Sequence, residues 1–593
     1  MHRPSADGAL RTADAPREPR ARLTLGIASL AVLLAAADTY VVVLALPDMM
    51  LGVGLGVDEL QRATPIVSAF LLGYVATLPL IGRLADLRGC RVVLIGCLLL
   101  FALGCLVTAG ASDLGTLVTG RAIQGVGGGG LVPATLALVA EMWPAERRGL
   151  PLGVVGAVQE TGATVGPLLG AAILAMSGWR AIFWANLAGA ALLALGLVVS
   201  HRPATGAGAG DGAGATGRRP DPVAWACGLL AVAAMTLQLL APDSLVQHVT
   251  FGLAWEPWLD ERRLTTPLWV ATGVLTLLAL ARWASRAGLR SLLSEVDAVG
   301  SLLVAGALSG LVLAFATADP EIAVVAENAP LLLGAAALLA AGFAVRQRTA
   351  ARPLVPRGTL REMPAWGSLV VNFLVGAALV AALVDVPVFA RSTTYVNSQL
   401  GAAMVLVRLL VAMPVGALAG GWAIRRISPR WVSAAGMALA AAGLLAMTRW
   451  DATTLTGAGG TAELVLAGLG FGLAIAPVNA ALLAATDGAV HGVASALVVV
   501  ARMVGMLVGL SALTAVGLRV FYDAQERIGT PLELCPSTPT DCPPYEDATF
   551  DALLSELHAI FAGAAGCALV AAVLCAVLLT APRERHEEAA PLT

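Results

Sequence analysis

The sequence predicts an all-α polytopic membrane protein, and three observations carry that prediction. Of 593 residues, 58% are hydrophobic and 13% charged, with a mean hydropathy of +0.82; a soluble domain keeps about 25% charged residues to cover its surface. The apolar residues gather into stretches of about 20, the length at which a helix crosses the hydrocarbon core with its backbone polar groups satisfied internally. The 37 basic residues are all arginine, and all but Arg121, Arg408 and Arg502 fall between those stretches or at their ends, with a strong bias to one side.

The first six stretches lie at 24–47, 64–83, 92–111, 115–140, 150–176 and 181–200. The tail 1–22 carries Arg3, Arg11, Arg17, Arg20 and Arg22, as a signal peptide would, but the apolar run behind it is too long, so it is read as a retained span. Residues 201–222, rich in Gly and Ala with Pro203, Pro220 and Pro222, form a flexible linker. A central group follows at 223–241, 267–284, 297–318 and 329–346, and a last group at 366–390, 399–421, 430–449, 462–486, 490–517 and 555–580, before the tail 581–593. Trp255, Trp258 and Trp269 mark 223–284 as a helix pair or a partly interfacial segment. Sixteen spans are expected, with fourteen as the alternative.

With the N-terminus placed in the cytoplasm, most arginines fall on the inside, among them Arg83, Arg88, Arg91, Arg147, Arg148, Arg346, Arg348, Arg425 and Arg426. Arginine accumulates in cytoplasmic loops, so a multi-pass plasma-membrane protein with both termini cytoplasmic is expected. One missed span would invert every later assignment. The stretch 518–554 then becomes the longest outer connection. Cys535 and Cys542, seven apart among prolines on an oxidising face, are expected to form a disulfide there.

The net charge of −2 and the lack of a clustered basic face exclude a nucleic-acid partner. No CxxC or Cys/His ligand spacing points to a metal, and no GxxxxGK[ST] segment points to a nucleotide. Neither a cofactor nor an enzymatic activity is expected.

An ionisable residue in hydrocarbon costs roughly 2.5–3.5 kcal/mol, so each is a functional candidate with a partner to be found. Asp38, Arg121, Glu160, Asp385, Arg408 and Arg502 lie within spans; Asp297, Glu463, Asp487, His491, Glu556 and His558 lie at or near span ends. Glu160 sits among small residues, where burial favours the neutral acid unless a cation pairs with it. Asp385 and Arg408 are candidates to pair with each other.

Several of these residues sit in recognisable segments. The loop expected after the second span reads Gly82-Arg-Leu-Ala-Asp86-Leu-Arg-Gly89-Cys-Arg91, whose glycines permit a tight turn, whose Asp86 suits a helix N-terminus and whose arginines suit anionic headgroups. The first span holds Asp38-Thr-Tyr-Val-Val-Val-Leu44-Ala-Leu-Pro47 and the fourth Arg121-Ala-Ile-Gln-Gly-Val-Gly127-Gly128-Gly129. The fifth holds Gly156-Ala-Val-Gln159-Glu160-Thr-Gly162-Ala-Thr-Val-Gly166-Pro167-Leu-Leu-Gly170, and Trp179-Arg-Ala-Ile-Phe-Trp-Ala-Asn186 follows. Together these resemble the signatures of the major facilitator superfamily, and of its drug:proton antiporters in particular, with Leu44 where those often have Asn. A segment from Gly416 to Arg430 echoes the 82–91 motif without its Asp. The segments from Gly470 to Leu483 and from Gly492 to Leu513 are similar to those of actinobacterial exporters related to the mycobacterial triacylglyceride transporter, which are also described as multidrug efflux proteins.

The resemblance implies two six-helix bundles, 23–200 and 366–580, with two inserted helix pairs in 223–346. It implies proton-coupled export of lipidic or amphipathic solutes by alternating access, driven by the proton gradient without a cofactor. The expected partners are the lipid or hydrophobic solute, protons, membrane lipids and an extracytoplasmic lipid-binding lipoprotein, and the chain is expected to be a monomer. A multidrug:proton antiporter is the alternative, and a non-transporting receptor or scaffold the reading from another class. The implied site comprises Asp38, Glu160, Arg502 and Arg121 for proton coupling. Arg502 is the partner offered for Glu160, against the alternative that it bonds backbone carbonyls. Asp38 either couples protons or makes a structural hydrogen bond, and Arg121 either positions its helix or assists the relay. Gly82, Asp86, Gly89 and Arg91 form the conformational motif, and Gly156, Gly162, Gly166, Pro167 and Gly170 the antiporter motif, read first as close helix packing that permits sliding.

Overall fold

The computed structural model describes residues 18–55, 60–200, 222–240, 267–287, 296–316, 328–396, 398–535 and 542–580. The first half comprises α1 (Glu18–Gly52), α2 (Leu60–Arg88), α3 (Cys90–Ala109), α4 (Leu114–Met142), α5 (Gly149–Met176) and α6 (Arg180–Val199). The central helices are α7 (Pro222–Leu240), α8 (Pro267–Ala287), α9 (Ala298–Ala316) and α10 (Ala329–Thr349). The last half comprises α11 (Met363–Ser392), α12 (Gln399–Ala423), α13 (Pro429–Met447), α14 (Ala458–Ala484), α15 (His491–Gln525) and α16 (Pro543–Leu578). Among the described residues, 13 helices are long and apolar enough to cross a membrane. In α5 the apolar run is interrupted by Gln159, Glu160 and Thr161.

Helix starts follow local chemistry. Asp113 caps α4, accepting from the Thr116 amide at 2.9 Å, and prolines occupy the first turns of α10, α11, α13 and α16, where their missing N–H costs nothing. Each half then builds its own core by one pattern of pairings. In the first, α1 packs on α5, α2 on α4, and α3 on α4 and α6. In the last, α11 packs on α15, α12 on α14, and α13 on α14 and α16. First pairs with fifth, second with fourth, third with fourth and sixth, in both. This is the internal repeat at which the Gly416 echo hinted.

The halves meet where α5 lies against α12 and α14, and where α2 and α4 lie against α15. Among the central helices, α7 packs on α8 and α9 on α10, and α9 also rests on α2 and α15. Linker residues 201–221, Trp255 and Trp258 lie outside the described residues, and the side chain of Trp269 is not described.

Two expectations about local structure are corrected. The segment from Gly82 to Arg88 is not a loop: α2 runs through it, and the turn is made at Gly89 alone, whose φ of +88° suits a residue without a Cβ. The helices of the spans expected at 490–517 and 555–580 do not stop at the polar stretch 518–554 but run into it, because α15 continues to Gln525, a single turn spans Pro531–Leu534, and α16 begins at Pro543. A hydropathy ruler measures the lipid-facing run, and a helix that continues into water leaves it without ending. Cys535 and Cys542, at the ends of the remaining gap, are joined by a disulfide.

Candidate functional site

The seam between the halves begins as backbone against backbone. A Cβ added at Gly149 would stand 2.7 Å from the Gly421 carbonyl oxygen, and one at Gly153 would stand 2.8 Å from that of Ala417. One turn further, Gly156 faces the Ile475 side chain at 3.1 Å. Beyond that point the small residues of α5 turn to its own half: Gly162 and Gly166 each leave 2.6 Å to a carbonyl oxygen of α1, those of Leu33 and Ala37, and Gly170 faces Val41 at 3.0 Å. Pro167 lies within this second run.

Glu160 occupies the crossover between the two runs. Its Oε1 lies 3.6 Å from Nη1 of Arg502 on α15, and their side chains are only 8% and 13% exposed. Arg502 is brought there because Gly376 of α11 lets the two helices close until its Cβ position stands 2.2 Å from the Arg502 carbonyl oxygen. Beside the pair is a cavity of about 20 Å³ lined by Gln159, Asn372, Asn479 and Arg502 among apolar side chains. A polar void of this size has room for a water molecule.

Asp38 and Arg121 lie deeper, within the first half. Both are almost wholly buried, and Nη1 of Arg121 donates to Asp38 Oδ2 at 2.9 Å and to Gln124 Oε1 at 2.5 Å. Asn186 donates to the other Asp38 oxygen at 2.6 Å. The guanidinium also rests over the Phe70 ring at 4.3 Å. Both Asp38 oxygens thus have a hydrogen-bond partner, one of them a guanidinium. The network ties α1 to α4 and α6.

At the end of the molecule that carries the 82–91 motif, here the motif end, Asp86 accepts from the amides of Gly492 and Val493 at 2.6 and 3.0 Å. It therefore sits at a helix N-terminus, as its chemistry suits, but at that of α15 in the other half rather than of the helix that follows it. Gly82 makes the approach possible, since its Cβ would stand 2.5 Å from the Gly492 carbonyl oxygen. Arg91 donates to Ser200. Arg148, also of the first half, reinforces this end, donating to the carbonyls of Ala140 and Trp143 and, at 3.5 Å, to Leu483 of α14. The described structure is thus closed at the motif end.

Asp385 and Arg408 do not pair. Arg408 donates to Thr461 at 2.8 Å and to the Leu455 carbonyl, whereas Asp385 is 7% exposed and its Oδ2 has no hydrogen-bond partner, with Glu556 the neighbouring charge. Glu463 and His558, expected only as ionisable residues near span ends, meet in a second polar constellation around Trp450. This residue folds into the last half between Phe389 and Phe561, while its indole donates to Glu463 at 2.5 Å and its carbonyl bonds His558 Nε2 at 2.8 Å. Asn186 and Gln124 could be found only as polar residues on apolar helices. Among the described residues no group of His, Cys, Asp and Glu is arranged to hold a metal ion.

Two repeated helical halves, with acids and arginines buried within them and on their seam, define a multi-pass membrane transporter. The chain belongs to the major facilitator superfamily, whose family model matches residues 28–345. It is 33% identical to a triacylglyceride transporter of Mycolicibacterium hassiacum over 97% of this chain and 95% of that one. It is also 34% identical to a triacylglyceride transporter of Mycobacterium tuberculosis over 84% of this chain and 83% of the relative. Among solved structures, the human organic anion transporter MFSD10 aligns with a TM-score of 0.54 at 15% identity, covering 94% of this chain and all of that one. The proton:xylose symporter XylE aligns at 0.53 and 13% identity, covering 95% and 96%. At these identities the two structures speak for the fold.

Proposed function

We propose that the chain is a proton-coupled exporter of lipidic or amphipathic solutes, triacylglyceride-like lipids among them, working by alternating access across the plasma membrane. The observation that carries this reading is the Glu160–Arg502 pair across the seam. With Glu160 ionised, attraction of about 4 kcal/mol at an effective dielectric near 20 adds to the Asp86 bonds and holds the motif end closed. A proton arriving at Glu160 removes the charge and leaves the halves free to tilt. Loss of that proton on the other side, with solute bound, restores the ion and returns the solute outward. Protons move in as solute moves out.

The orientation belongs to the same reading: the motif end in the cytoplasm, both termini there, and sixteen spans. The Asp38–Arg121 network is the second charge pair, fixing α1, α4 and α6 around the proton path. The names of the curated relatives support a lipid as solute, and an extracytoplasmic lipid-binding lipoprotein is the proposed acceptor. The test is uphill efflux of a labelled triacylglyceride from proteoliposomes under an imposed pH gradient. Efflux should follow the gradient in the native chain and be lost in Glu160→Gln; gradient-independent efflux, or full activity in the variant, refutes the proposal.

A further inference from the structure

Where α10 joins α11, residues 350–362 fold back as a strap. Nη2 of Arg357 donates to the carbonyls of Arg348 and Ala350 at 2.9 and 3.1 Å, Gln347 bonds Val355, and Gly358 turns the chain at a φ of +94°. Leu354 and Thr359 anchor the strap from beneath, both buried. Between the strap, the end of α10 and α15 lies a cleft of about 740 Å³, within the ~300–1,000 Å³ range of ligand sites. Its floor is apolar, made by Phe343, Pro356 and Leu497, and its rim is cationic, made by Arg348, Arg357 and Arg361. Arg348 and Arg361 are exposed.

Apolar floor and cationic rim are the two halves of a phospholipid's chemistry, and the cleft opens at a helix end, where headgroups lie. Leu497 stands four and five residues beyond the amides that Asp86 holds, so an occupant would touch the helix that closes the motif end. We propose that this cleft binds an anionic phospholipid, its phosphate against the arginine rim and its acyl chains against Phe343 and Leu497, bracing α15 against the central helices. Placing it in the cytoplasmic leaflet rests on the orientation proposed above; binding itself does not.

The test is native mass spectrometry of the full chain with phosphatidylglycerol, phosphatidylcholine or inorganic phosphate added. The native chain should retain phosphatidylglycerol in preference to phosphatidylcholine, and Arg348→Gln/Arg361→Gln should weaken that retention roughly 25-fold, since each arginine near an anionic headgroup contributes about fivefold. Equal retention of the two lipids, unchanged retention in the double variant, or displacement of the lipid by inorganic phosphate overturns the proposal. Should the double variant not fold, the selectivity of the native chain and the retention of lipid by Arg348→Lys/Arg361→Lys decide alone: no preference for phosphatidylglycerol, or its loss in the lysine pair, overturns it.

Discussion

Glu160 and Arg502 face each other at 3.6 Å from opposite halves of the molecule, at the point on α5 where its small residues stop contacting α12 and α14 and begin contacting α1. The pair thus sits where a tilt of the halves starts to separate side chains. Arg502→Gln leaves Glu160 without its cation, and gradient-driven efflux in proteoliposomes is expected to fall by at least about tenfold, a loss of roughly 1.4 kcal/mol in coupling. Arg502→Lys, which keeps the charge, should retain a measurable fraction. Equal loss in both variants would show that the guanidinium's shape, and not its charge, matters.

Asp38 and Arg121 make a different kind of pair. Removing one charge from a buried pair typically costs about 3–5 kcal/mol, because the survivor remains uncompensated. Asp38→Asn should therefore lower the thermal stability of detergent-solubilised protein strongly, and Asp38→Asn/Arg121→Gln should recover part of it. A double variant as unstable as the sum of the singles would deny the pairing.

Asp86 holds two amides of α15, and a hydrogen bond to a charged group is worth about 1.5–3 kcal/mol. Asp86→Ala should shift the population away from the state closed at the motif end. So should Gly82→Val, whose side chain has no room against the Gly492 carbonyl. Distances between spin labels on α2 and α15 at that end should lengthen in both variants; an unchanged distribution contradicts the closure described here.

Asp385 has a buried oxygen without a partner and an acidic neighbour in Glu556. Asp385→Asn keeps a polar atom in the same place but removes the buried charge and its repulsion by Glu556 while preserving the shape. Its melting temperature should rise above that of the native chain. A fall would mean that a proton or water bridging the two acids stabilises them.

The helices and their order were legible in the sequence because lipid demands long apolar runs with satisfied backbones, and α5 was legible despite Glu160 because apolar stretches flank the polar trio. Helix ends were less so: α15 and α16 leave the hydrocarbon and continue as polar helices, beyond what hydropathy reads. Resemblance placed Glu160 and Arg502 together. The partner of Asp38 in Asn186 and the fate of Arg408 depend on which faces of distant helices meet, a tertiary fact with no local period. Asp86 was read as a helix-terminus acid, but which N-terminus it would cap is decided by the closeness that Gly82 permits to α15.

Trp450 reaches from the turn after α13 into the last half, wedged by rings of α11 and α16 and tied to Glu463 and His558. Three helices, α11, α14 and α16, are thereby keyed together around one tryptophan. A half keyed in this way resists shearing internally, so force applied at its seam is delivered as rotation of the whole block, and weakening the key should make transport leaky before it makes it slow.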